Sequence, residues 1–84
     1  MSSFGTIPLS QIWAMLDVCL RGYTRKQREH NWLVRYGDRA YPRLPRDAHS
    51  KRADPDVQIG HVRHLVRFFQ IQECADAQLE QLRH

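Results

Sequence analysis

Apolar positions in the first quarter of the chain recur at helical spacing. Leu9, Ile12, Trp13, Leu16, Cys19 and Leu20 fall three or four residues apart, which predicts one apolar helix face over Ser10 to Leu20. Ser10 offers a hydroxyl to the free amides of the first turn, and Gly22 accepts positive φ beyond the last. From Tyr23 the period drops to two. His30, Trp32, Val34 and Tyr36 alternate with Asn31, Leu33 and Arg35, the pattern of a half-buried strand. Gly37-Asp38 predicts a hairpin turn into a strand over Arg39 to Leu44, with Pro42 marking an edge or an early end. Tyr23 to Gln27 is expected to pair back on the same strand through a tight turn at Arg28-Glu29. Three antiparallel strands result.

Pro45 to Asp54 is polar, charged and without period, and reads as a loop. Asp54-Pro55-Asp56 is expected to start a second helix, with Asp54 as N-cap and Pro55 in the first helical position. Ile59, Val62, Leu65, Val66 and Phe69 form its apolar stripe, and Arg63 and Arg67 sit one turn apart on a more polar side. Gln70-Ile71-Gln72 interrupts that helix, and Glu73 to Leu82 forms a short polar third one with Ala75, Leu79 and Leu82 as its apolar face. No internal repeat is evident. The expected fold is a single α+β domain over residues 1–84. Its layout is the two-layer α-β-β-β-α arrangement of double-stranded-RNA-binding-like folds, with a short C-terminal helix.

The chain has 84 residues, of which 42% are hydrophobic and 26% charged. That length holds one small core and excludes a large cofactor-binding fold. No apolar run reaches the roughly 18 residues that a membrane span needs. Met1 to Leu9 lacks the basic start and apolar stretch of a secretion signal, so a cytoplasmic location is expected. Cys19 and Cys74 match no metal spacing, and in that compartment they are expected to be buried, reduced thiols.

Charge changes the picture by its placement. Ten basic residues and three acidic ones lie between Arg21 and Arg52, a local balance of +7 in a chain whose net charge is +4. Eight of the ten are arginines, whose forked donors match phosphate oxygens better than a lysine ammonium does. A polyanion is the expected partner, RNA first. Arg25, Lys26, Arg28, Arg35, Arg43, Lys51 and Arg52 are the candidate phosphate contacts. Tyr23, Trp32, Tyr36 and Tyr41 interleave with them. Trp32 reads as core, and Tyr41 is the ring expected to be exposed for stacking on an unpaired base.

These residues also resemble a known family. The order Pro8-Leu9-Ser10, a helix to Leu20, Gly22-Tyr23 and a basic strand is similar to the start of HicA-type toxins. There a Gly-Ser-His element opens the next strand. His30 stands where that histidine would be, with Arg28-Glu29 in place of Gly-Ser. Ile59-Gly60-His61-Val62-Arg63-His64-Leu65 resembles the family's second helix, and Ile71 the apolar residue after it. The resemblance spans about Pro8 to Leu79, with a longer loop from Pro45 to Asp56. It implies an mRNA interferase, a metal-independent and cofactor-free endoribonuclease relying on a single histidine, neutralised by an acidic HicB-type antitoxin.

RNA carries its own nucleophile, the ribose 2′-hydroxyl. Cleavage then needs a base for its proton, an acid for the leaving oxygen, and cations around the phosphate. Histidine suits the proton transfers because it titrates near neutrality. His30 is the candidate base, and His49, beside Lys51 and Arg52, the candidate acid. Glu29 either orients the His30 ring or faces water. His61 and His64 lie three apart on a helix, but no carboxylate or cysteine stands at a spacing that completes a metal site. Two other readings stay open: a nucleic-acid-binding module of the same fold without catalysis, and an adaptor whose basic sheet docks an acidic protein.

Overall fold

A computed structural model of the chain describes residues 5–46 and 54–83. It is α+β. The elements run β1 (Thr6–Pro8), α1 (Leu9–Cys19), β2 (Thr24–Gln27), β3 (Asn31–Tyr36), β4 (Arg39–Pro45), β5 (Asp56–Gln58), α2 (Ile59–Phe69), α3 (Gln72–Gln78) and a 3₁₀ turn, Glu80–Leu82. β2, β3 and β4 form an antiparallel sheet with β3 in the middle, as the alternating pattern predicts. Positive φ at Gly22 (91°) and Gly37 (63°) turns the chain after α1 and between β3 and β4. β4 is an edge strand, and its pairing with β3 shifts register between Trp32 and Val34. The irregularity falls opposite Pro42, which has no amide to give to a ladder.

The start of the second helix departs from expectation. Asp56 to Gln58 is a strand, pairing antiparallel with Thr6 to Pro8, and α2 begins only at Ile59. Asp54 caps the other helix. Its two carboxylate oxygens accept from the Ser10 amide (2.8 Å) and the Ser10 hydroxyl (2.6 Å). The carboxylate is thereby placed at the positive end of α1. Ser10 is a donor in the first turn rather than the N-cap.

The β1–β5 pair also reveals a duplication that the residues do not advertise. Each three-residue strand runs directly into an eleven-residue helix. The two units clasp reciprocally: the Leu9 amide donates to the Pro55 carbonyl (2.9 Å) and the Ile59 amide to the Gly5 carbonyl (3.0 Å). An internal structural repeat is present after all. It is hidden because the two copies share apolar positions and little else.

The helices cover one face of the main sheet. Ile12, Leu16, Val34, Leu44, Val62 and Leu65 are fully buried at 0% exposure, and Phe69 and Val66 join them. Met15, outside the expected stripe, is buried too. Gln70, at φ 58°, ends α2 in the left-handed conformation and separates it from α3. Cys19 and Cys74 are not free thiols; they form a disulfide between the end of α1 and α3, with Cα atoms 5.8 Å apart. Their separation in sequence says nothing against this, because α1 and α3 pack side by side. Among the described residues no helix is long and apolar enough to cross a membrane.

Candidate nucleic-acid interface

Among the described residues no charged side chain is buried, so the basic ones lie at the surface or half-buried beneath it. The candidate contacts that are described sit on β2, β3, β4 and the β2–β3 turn. Lys26, Arg28, Arg35 and Arg43 are exposed. Arg25 is exposed as well, but its guanidinium is engaged: it lies 4.4 Å from the Trp13 ring centroid and donates to the Tyr23 hydroxyl at 2.9 Å. Trp13 stacks on Tyr23 and meets Trp32 edge-on at 5.1 Å, so this cluster extends the core to the sheet's rim. Burial raises the Tyr23 pKa, opposed by Arg25 and assisted by Asp17.

His30 occupies the β2–β3 turn rather than the first position of the strand, because Arg28 and Asn31 close the turn (Arg28 amide to Asn31 carbonyl, 2.9 Å). Its side chain is 71% exposed, and its Nε2 lies 3.5 Å from the carboxylate of Glu29, itself 87% exposed. Glu29 therefore faces both the imidazole and water.

The residue that fixes this turn is Arg46, which sequence reading left in a loop. Its backbone amide donates to the His30 carbonyl (3.0 Å), and its Nη1 donates to the carbonyls of Arg28 (3.1 Å) and Glu29 (2.9 Å). With the Gln27 amide turned oxygen-first, its Oε1 accepts from Nη2 (2.6 Å) and Nε (2.9 Å) of the same side chain. The guanidinium thus holds the two backbone carbonyls that precede the imidazole, and the backbone amide of the same residue holds the carbonyl of His30 itself. The only advance signal is its position directly after an edge strand that pairs toward the histidine.

Tyr41 is not the exposed ring expected. It is 7% exposed and packs on Phe68 with centroids 5.3 Å apart. The bulge next to it explains the change, since Pro42 rather than Tyr41 takes the outward position on β4. Burial raises the Tyr41 pKa, with Arg43 acting against it. The ring that stays accessible is Phe68 on α2, together with Tyr36 at the end of β3. His49, Lys51 and Arg52 lie outside the described residues. His61 and His64 are exposed, and no cluster of three His, Cys, Asp or Glu side chains forms among the described residues.

No family model, curated protein or solved structure matches the chain.

Proposed function

We propose that the protein is a HicA-like toxin that binds RNA through its basic sheet and cleaves it with His30 as general base. The observation that supports this most is the β2–β3 turn: an exposed imidazole beside Arg28, on a backbone held by Arg46. A base for RNA must be reachable from solvent and carried on a held backbone, and the exposure of His30 and the Arg46 bonds to this turn support that reading.

In the proposed reaction His30 takes the proton of a ribose 2′-hydroxyl. The freed oxygen attacks the adjacent phosphorus, the bond from phosphorus to the 5′-oxygen breaks, and that oxygen takes a proton from an acid. Products are a 2′,3′-cyclic phosphate and a 5′-hydroxyl. His49 is the proposed acid. Arg28 and Lys26 would offset the charge that builds on the phosphate. The scheme calls for no cofactor or metal. An acidic HicB-like antitoxin is the proposed protein partner, matching the basic surface in sign.

The proposed compartment is the cytoplasm, with the mRNA. The Cys19–Cys74 bridge counts against that compartment, whose reducing poise keeps most thiols free.

Binding without cleavage is the second reading. It is favoured by the Glu29 carboxylate, whose negative charge 3.5 Å from Nε2 opposes the approach of a phosphate. Induced expression separates the two. Wild type should arrest growth and His30→Ala should not, while Glu29→Gln should arrest at least as strongly as wild type. Equal arrest by wild type and His30→Ala would leave only the second reading.

A further inference from the structure

A furrow of about 280 Å³ runs between β4 and α2, lined by Tyr41, Arg43, His64, Arg67 and Phe68. Three other grooves on the described surface each include an aspartate, Asp56, Asp76 or Asp54. This one includes none. Arg43 and Arg67 have no carboxylate partner among the described residues, and both are exposed. Two guanidinium groups and an imidazole thus converge without a counter-charge. Such an arrangement raises the local positive potential and is relieved by an anion.

The furrow's far wall narrows the choice of anion. Phe68 is 36% exposed, and the Arg39 guanidinium lies 5.2 Å from its ring centroid while donating to the Phe68 carbonyl (3.1 Å). The guanidinium lies over one face of the ring, and its outer plane offers a stacking surface for a base beside the furrow. An acidic peptide would use the cations and leave that surface idle. Position matters too. Arg43 and Tyr41 lie three and five residues along β4 from Arg46, whose amide bonds the His30 carbonyl. At about 3.3 Å per residue that is roughly 10–17 Å from the turn, within reach of one continuous strand.

We infer that this furrow binds a phosphate of single-stranded RNA and its adjoining base, a few nucleotides from the site of attack. Arg43 and Arg67 hold the phosphate, His64 lends a further donor, and Phe68 with Arg39 receives the base. The inference rests on RNA being the ligand. It adds a second contact that sets which stretch of strand is presented to His30.

The test uses the full chain and a labelled single-stranded RNA octamer with 2′-O-methyl sugars, so that binding is read without cleavage. Affinity is measured across a salt series for wild type, Arg43→Gln/Arg67→Gln, and Lys26→Gln/Arg28→Gln. The furrow double variant should bind about tenfold or more weaker, with a salt slope shallower by about 0.7 for the one phosphate released. It should bind a trinucleotide about as well as wild type does, whereas the Lys26→Gln/Arg28→Gln protein binds it poorly, because a short strand seats at the turn alone. Unchanged octamer affinity and slope in the furrow variant, with wild type still binding RNA, would overturn the inference and leave the proposed function standing. Absence of any RNA binding by wild type would remove both. Adenosine monophosphate or polyglutamate moving the His64 and Phe68 resonances, with octamer affinity unaltered by the furrow substitutions, would reassign the furrow to free nucleotides or to an acidic protein and overturn it.

Discussion

Asp54 directs its carboxylate to a helix 44 residues earlier in the chain rather than to the one that follows it. The hydroxyl and then the amide of Ser10 hold its pKa below the ordinary 3.8. A lowered folded value means that the bond stabilises the fold above the unfolded pKa and is lost as pH falls through the folded one. Asp54→Asn should therefore lower the thermal midpoint at pH 6 and converge toward wild type at acid pH. Parallel curves from pH 6 to the acid limit would show the contact to be idle. At the other extreme of burial, Phe69 is the last apolar residue of α2 and 8% exposed. Phe69→Ala should cost about 3–5 kcal/mol, which thermal or urea unfolding would detect at once. Such residues are legible in sequence because burial follows period. Asp54 is not, because Asp-Pro before an apolar run looks the same whichever helix it caps.

Among the elements, the helices and the main sheet announce themselves through local periodicity. The β1–β5 pair does not. Each strand has three residues, too few for a period, and their partners are joined only by folding. The disulfide escapes notice for the same reason. It closes a separation of 55 residues, and removing such a bond from a small domain costs about 2–5 kcal/mol. Freshly purified, unreduced protein, denatured and titrated for thiols, should show no free group, and Cys74→Ser should lower the thermal midpoint. Two free thiols together with an unchanged midpoint would contradict both statements. The β2–β3 turn depends on Arg46 in a comparable way. Arg46→Ala should cost only about 1 kcal/mol in overall stability, because its bonds lie near the surface. Amide exchange at Arg28 to Asn31 should nonetheless accelerate sharply while that of α2 stays slow. Arg46→Lys should fail to restore protection, since a single ammonium lacks the forked reach. Uniform exchange changes across the chain would point to a general loss of structure instead.

Over the whole molecule, one face is core and the other is charge. The helices leave the second side of the sheet to water, and the +7 segment from Arg21 to Arg52 is largely that sheet. The identity of the basic zone is thus readable from sequence. Its division into working parts is not: Arg25 is drawn onto Trp13, Tyr41 is buried, and the furrow takes three of its five lining residues from α2. Those assignments depend on which strand α2 covers, which has no local signature, and on a bulge of which Pro42 is only a partial sign. The division of labour proposed for this surface has His30 perform the chemistry while the surrounding cations hold the strand. It is tested most directly by single-turnover cleavage of one RNA by wild type and His30→Ala, in excess chelator, alongside affinity for the 2′-O-methyl form. Wild type should yield 2′,3′-cyclic phosphate and 5′-hydroxyl ends. His30→Ala should cleave about 10²–10⁴-fold more slowly and bind within a few fold of wild type. Equal cleavage rates, or wild type that binds the RNA and leaves it intact, would contradict that division.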